Sequence, residues 1–426
     1  MSYPDTYYTQ TMAERKVRPV LSETVECDTV IIGGGLAGLT TALQLARDGQ
    51  AVAVLEAESV GFGASGRNGG FVSPGFATGD DKIARIAGRE AARQMHRLSI
   101  EGVNFVRETI EALKIESAKP QHGLISVLRY DDGESLKAHS RAMEHAHGYQ
   151  LEYLDSDQVR SVLKSNRYFQ GLRDPDAFHM HPLNYLRGLA SEIERLGGRI
   201  YERSAAAGCA LSGAEKIVST AKGRVRARTV VFTTGGYTGS LNGRLKRSFL
   251  PIATYVMLSE EAPDLIGTAI ATSDAVGDNR RAGDYYRLVE GGKRLLWGGR
   301  ITTRAASPAA LAAELRREMI GTYPQLRELK TELAWSGLMS YARHLMPQIG
   351  EMQPGVWHCT AFGGHGLNTT AIGGKLVAEG ILGQSDRYKL FKPFGLVWAG
   401  GFAGLAVAQF TYWKLQAQDW WRERAA

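Results

Sequence analysis

A β-branched run closes on three consecutive glycines and opens straight into a helix-periodic segment, CDTVIIGGGLAGLTTALQLARDG, which is followed by a second apolar run, QAVAVLEAE. No other feature of the chain constrains its fold as far. Strand, glycine turn, helix ending at Gly49 and second strand read as one βαβ unit. Within it Gly33, Gly35 and Gly38 form the spacing G-x-G-x-x-G at the strand-to-helix turn. Gly33 permits the tight turn, Gly35 lets a pyrophosphate approach the backbone, and Gly38 lets helix and strand pack closely. The phosphates then sit on the helix N-terminus, where Leu36 and Ala37 begin the helix. Glu56, followed by Ala57, ends the second strand at the position where a carboxylate accepts hydrogen bonds from a ribose diol. The unit is predicted to bind a dinucleotide.

A second glycine cluster, GFGASGRNGGF, occupies residues 61–71 directly after that strand. Ser65, Arg67, Asn68, Gly69 and Gly70 make a loop able to lie flat against a ligand, with hydroxyl and backbone donors turned to phosphates. A serine nucleophile is the competing reading of Ser65. The surrounding residues lack the second glycine of a nucleophile elbow and no Asp and His follow in a suitable order, so hydrolase chemistry is set aside. The chain holds 50 glycines in 426 residues, where about 30 are expected at an average usage of about 7 %. With 13 prolines, 44 % hydrophobic and 22 % charged residues, that surplus belongs to a globular protein and not to a linker or a collagen.

The three cysteines and the absence of an apolar leader in the first 20 residues fit a cytoplasmic protein. A net charge of +7 is too diffuse to argue for nucleic acid. The pairs His145/His147 and His179/His181 have no carboxylate or cysteine at ligand spacing in the sequence, so no metal site is expected. Residues 83–118 read as a helix, and Lys222, Arg224, Arg226 and Arg228 as the wet face of a hairpin.

The two glycine motifs, with HPLNYLRGLASEIERLGGRIYERS, RTVVFTTGGYTGSL, LLWGGRITT and TAFGGHGLNTTAIGGKLVAEGI, resemble the D-amino-acid-oxidase-like family of FAD-dependent oxidoreductases, and within it the gamma-glutamylputrescine oxidoreductase branch. The resemblance implies an α/β fold: a discontinuous Rossmann-like FAD-binding domain with a second α+β substrate domain on a mostly antiparallel sheet. The FAD domain would take 27–85, 178–245 and 336–385, and the substrate domain 86–177 and 246–335. An arm over 1–26 would pack on the surface, and 386–426 would be an apolar or amphipathic tail. By the same resemblance Ala206 would meet the adenine, Thr234 and Gly235 would close the site, and Gly364, His365, Gly366, Leu367 and Asn368 would run beside the flavin ring. FAD would be noncovalent, because the attachment cysteine of the sarcosine-type oxidases falls near Gly337. Leu296 stands where those oxidases place an oxygen-activating lysine, which leaves oxidase against dehydrogenase open.

Only one G-x-G-x-x-G lies on a strand-to-helix turn, so the electrons are expected from an organic substrate and not from a nicotinamide. The expected reaction is hydride transfer from a carbon bearing nitrogen to flavin, giving an imine that hydrolyses. Candidate catalytic residues are His365, Arg300, Tyr255 and Asn368. Each has a plainer reading: His365 hydrogen-bonding its own loop, Arg300 facing solvent, and Tyr255, like Tyr341 and Trp335, packing a core. The expected partners are a small amine or amino acid, such as a gamma-glutamyl amine, and oxygen or another acceptor. The rivals are a membrane-associated dehydrogenase feeding a quinone and a flavin-bound assembly protein. The tail bears on the first rival, since Pro393–Trp413 carries no charge and Phe410, Trp413, Ala417 and Trp420 recur at helical spacing. An amphipathic helix docked on the protein itself, on a partner or peripherally on a membrane, such as the inner membrane face, is expected there ahead of a span.

Overall fold

The computed structural model of the chain describes residues 3–13, 16–280, 283–302 and 308–425, with side chains 300–302, 308–309 and 425 outside that description. Five parallel strands form the centre of the first sheet, in the order Val356–Thr360, Arg224–Phe232, Thr24–Ile32, Val52–Leu55 and Arg199–Tyr201, and Gln348–Gln353, Lys216–Ser219 and Gly208–Ala210 add to it antiparallel, eight strands among the described residues. All four residues of the VAVL strand are buried, as befits a parallel strand covered on both faces. The helices Leu36–Arg47, Pro182–Arg195 and Leu367–Leu382 contribute to the core beside this sheet.

The second sheet is mostly antiparallel and runs Thr331–Ala342, Phe249–Ser259, Arg294–Thr302, Tyr285–Val289, Ala275–Asp278, Gln121–Val127, Gly171–His179 and Phe71–Val72. Its separate core gathers Tyr255, Trp297, Tyr286 and Tyr323. The fold class is therefore α/β with two sheets, as the family resemblance implies. Thr331–Ala342 runs unbroken past residue 336, and Phe71–Val72 pairs with the second sheet, so the glycine loop before Phe71 bridges the two sheets.

One local expectation is corrected. The segment 83–118 is two helices, Asp80–Ala87 and Arg89–Ala112, divided at Gly88, whose φ of +90° no helix accommodates. The N-terminal arm packs on the chain that follows it through side chains it buries completely, Tyr8, Arg18 and Leu21, while Val17 stays 73 % exposed. Its short helix Tyr7–Gln10 starts with a capping box from Thr6 and Thr9, which turns Tyr8 inward. The tail buries Phe391 and Phe394 and then forms one helix, Gly401–Ala425. Among the described residues no helix is long and apolar enough to cross a membrane. The basic stripe is a wet face, with Arg228 paired to Asp28 at 2.6 Å and Arg224 donating to the Thr24 hydroxyl.

Candidate functional site

A single cavity of about 1220 Å³ runs between the sheets, beyond the roughly 300–1,000 Å³ of ordinary small-ligand pockets. One end is built by the first βαβ unit. Gly33 takes a φ of +116°, and a methyl group there would stand 2.8 Å from the Thr233 carbonyl. At Gly38 it would stand 2.1 Å from the Gly33 carbonyl oxygen, so helix and turn touch backbone to backbone. Gly35, Leu36 and Ala37 line the cavity, and the Ser65 hydroxyl accepts from the Leu36 N–H at 3.1 Å. The helix N-terminus therefore opens into the cavity beside a hydroxyl.

Glu56 stands on the adjoining wall with Ala57 and Ala206. Its carboxylate accepts from the Gly34 N–H at 2.7 Å and the Glu58 N–H at 2.9 Å. Burial raises its pKa, and the two backbone donors pull it back. Thr234 and Gly235 line the cavity opposite.

The glycine loop is braced from several sides. Asn68 faces the cavity while its amide nitrogen donates to the Ala64 and Ser65 carbonyls and its oxygen accepts from the Gly70 N–H. Gly69 lies flush on the Tyr285 ring, where a methyl group would come within 2.5 Å. Two members of the loop's expected set do not reach the cavity. Arg67 turns away to bond the Phe62 and Ser336 carbonyls and to cover the Phe62 ring at 4.6 Å. Gly70, at φ +85°, packs on the Met180 carbonyl. Both shape the loop from behind.

The far end is aromatic and neutral. Tyr285, Tyr341 and Phe71 line it with Gly364, His365, Gly366 and Leu367. His365 Nε2 lies 2.9 Å from the Ser73 carbonyl and donates to it, and burial holds its pKa below the usual imidazole value. Among the described side chains on the cavity wall, Glu56 and Glu58 are the only charged ones, and both lie at the βαβ end.

The other catalytic candidates fare differently. Asn368 is buried and donates its amide to the Ser99 carbonyl at 3.1 Å. That bond ties it to the helix Arg89–Ala112, so its side chain does not face the cavity. Tyr255 belongs to the core of the second sheet and is absent from the cavity wall. Trp335 is likewise core and donates to the Arg67 carbonyl. Arg300 follows Gly299 of the wall, but its side chain lies outside the described residues.

Sequence reasoning missed Arg287 and Tyr8. Arg287 is buried and donates to the Gly69 carbonyl at 2.7 Å, the Met180 carbonyl at 2.9 Å and the Tyr8 hydroxyl at 3.1 Å. Its remaining nitrogen faces His179 Nδ1 at 3.0 Å. The Tyr8 hydroxyl in turn donates a hydrogen bond to the Asn68 carbonyl at 2.7 Å. The legible signal was an arginine inside the apolar strand YYRLV, since such a charge stays buried only where acceptors surround it.

Residues 28–380 match the family model described as DAO, FAD dependent oxidoreductase. The gamma-glutamylputrescine oxidoreductase of Escherichia coli is 32 % identical over 391 residues, covering 91 % of each chain. Among solved structures, glycine oxidase from Geobacillus kaustophilus superposes with a TM-score of 0.74 at 19 % identity, covering 88 % of this chain and 99 % of that one. L-amino acid deaminase from Proteus vulgaris does so with a TM-score of 0.72 at 18 % identity, covering 90 % and 99 %. These two likenesses speak for the fold.

Proposed function

Because the chain belongs to the DAO family of FAD-dependent oxidoreductases and binds FAD, we propose that its cavity oxidises the CH–NH bond of an amine or amino acid, with oxygen as acceptor. The residues fit the cofactor. A helix N-terminus with a cleared backbone suits a pyrophosphate, and a carboxylate at the end of the second strand suits a ribose. Gly33, Gly35, Leu36, Ala37 and Ser65 would hold the phosphates, Glu56 the ribose, and Ala57 and Ala206 the adenine. Asn68, Gly69 and the segment Gly364–Leu367 would flank the flavin ring, with Gly38, Arg67 and Gly70 supporting from behind. When bound, FAD supplies the hydride acceptor.

The observation that carries the substrate class is the neutral aromatic chamber at the end remote from Glu56. A substrate amine reacts through its neutral form, and a chamber without a described carboxylate does not hold it as an ammonium. Tyr285 and Tyr341 would press the substrate into one orientation, and water is excluded by the rings around it. His365 acts as a positioning residue, its imidazole neutral and spent on Ser73. The substrate gives up a hydride from carbon and a proton from nitrogen, and the resulting imine is released and hydrolysed by water to a carbonyl compound and ammonia or an amine. Gamma-glutamyl amines head the substrate panel, since the Escherichia coli relative is named for one.

The test is anaerobic absorbance of the holoenzyme flavin against amines, amino acids and gamma-glutamyl amines, followed by air. Bleaching by one member and recovery in air is expected. No bleaching by any member overturns the enzymatic reading in favour of an assembly role, and bleaching without recovery in air identifies an acceptor other than oxygen.

A further inference from the structure

The C-terminal helix Gly401–Ala425 turns its largest apolar side chains outward. The side that faces the protein is mixed: Gln409 is buried, and Leu405, Ala408, Tyr412, Leu415, Gln416, Asp419 and Glu423 are partly buried. Glu423 is anchored to Arg129 at 3.1 Å. The side that faces away carries Phe402, Val407, Phe410, Trp413, Trp420 and Trp421, between 42 and 93 % exposed. At about 100° per residue these six fall within an arc of about 140°. Among the described residues, eight of the eleven exposed large hydrophobic side chains lie between Val397 and Trp421. Such a patch marks an interaction site, since scattered exposure would not concentrate on one helix face.

The charges say what covers it. Lys414 and Arg424 share the outward arc, Arg424 lying 3.8 Å over the Trp420 ring, and Arg422 borders it over the Tyr130 ring. Both acidic residues of the helix, Asp419 and Glu423, are on the inner side. Two copies of this chain meeting face to face would bring these basic groups together with no carboxylate on either face to answer them. Lipid phosphates answer them, and tryptophans beside lysine and arginine are the composition of a helix lying in a membrane interface. We propose that this outward face docks the protein on an anionic lipid bilayer, with the helix in the plane of the interface.

The placement has a consequence for the cavity. Leu415, on the inner side of the same helix, borders it, so a docked bilayer lies about one helix diameter, roughly 10–12 Å, from the cavity wall. Docking does not depend on which substrate or acceptor the cavity takes.

Flotation of the full-length holoprotein with phosphatidylcholine vesicles, with and without phosphatidylglycerol, tests this. The protein is expected to float with the anionic vesicles and to be released by salt. Combining Phe410→Ser, Trp420→Ser and Trp421→Ser is expected to lower the bound fraction by about tenfold or more, with the bound-flavin spectrum unchanged to show that the fold survives. Lys414→Glu with Arg424→Glu is expected to abolish the preference for anionic lipid. The proposal is overturned if the protein stays unbound, or if the aromatic variant floats like the parent. It is equally overturned if light scattering shows a dimer that the variant splits while neither binds vesicles. Flotation is read without turnover, so its failure leaves the proposed reaction untouched.

Discussion

Gly35→Ala and Gly38→Ala separate the two jobs given to the first glycine turn. At Gly38 an added methyl would sit 2.1 Å from the Gly33 carbonyl oxygen and 2.7 Å from the Thr233 hydroxyl. The first neighbour is backbone, so the helix must lift from the turn by about 1.3 Å to regain an ordinary contact. Overpacking of this kind costs about 1–3 kcal/mol. At about 1 °C per kcal/mol for a chain of 426 residues, the apoprotein should melt roughly 1–3 °C lower. At Gly35 the nearest atom is the Ser65 hydroxyl at 3.1 Å, the end of a side chain that can turn aside. Gly35→Ala should leave the apoprotein's melting temperature within about 0.5 °C of the parent while weakening FAD about tenfold or more, because its methyl stands where the pyrophosphate must approach. Thermal melting of both apoproteins and flavin fluorescence titration make the comparison. Equal destabilisation by the two substitutions, or parental FAD affinity in Gly35→Ala, would refute the assignment.

Asn368→Ala should lower the melting temperature by the loss of its bond to Ser99 while leaving KM for the best substrate unchanged, whereas a substrate-facing amide would shift KM. His179 and His181 are held neutral by burial, next to Arg287, with pKa values pushed down to about 3. The unfolded chain takes up protons on them near pH 6.5, so stability is full above that value and falls as pH drops toward 3, by up to about 1.4 kcal/mol per unit for each ring. Melting temperatures between about pH 7 and pH 5 should therefore decline, and His179→Gln should flatten the decline by one ring's share. An unchanged slope in that variant would remove His179 from the account.

How much of this was legible beforehand depends on whether a position is required by backbone or by partners. The βαβ unit could be read because its constraints are local. Gly38 must lack a side chain whatever the rest of the chain does, and Glu56 ends its strand by position alone. The break at Gly88 was hidden because apolar spacing continues across it, from Ile83 to Met95 and Leu98, and periodicity reports a face without reporting a bend. The depth of the arm's packing was hidden for a related reason. Tyr7, Tyr8 and Arg18 look like surface residues in a polar stretch, and their burial rests on His181, Glu194 and Glu202, all more than 160 positions away.

The same distinction explains why the cofactor half of the cavity was readable and the substrate half was not. Alternation along DYYRLVE places Tyr285 on the cavity wall and Tyr286 on the Trp297 ring at 4.3 Å, and nothing within the strand says which face holds the ligand. Arg287 lies on the same face as Tyr285, as the two-residue period requires, and it uses that position to fasten the glycine loop through the Gly69 carbonyl. One strand of the second sheet therefore provides both a wall of the chamber and the brace for a loop of the first. Substituting Arg287 leaves the Gly69 and Met180 carbonyls without their donor, at about 1–3 kcal/mol for each group. It should also loosen Asn68, since Tyr8 loses the guanidinium that orients its hydroxyl. Arg287→Met is thus expected to lower both the melting temperature and the affinity for FAD, although Arg287 is not part of the cavity wall. Parental FAD affinity in a variant of lowered melting temperature would show that the brace serves the fold alone.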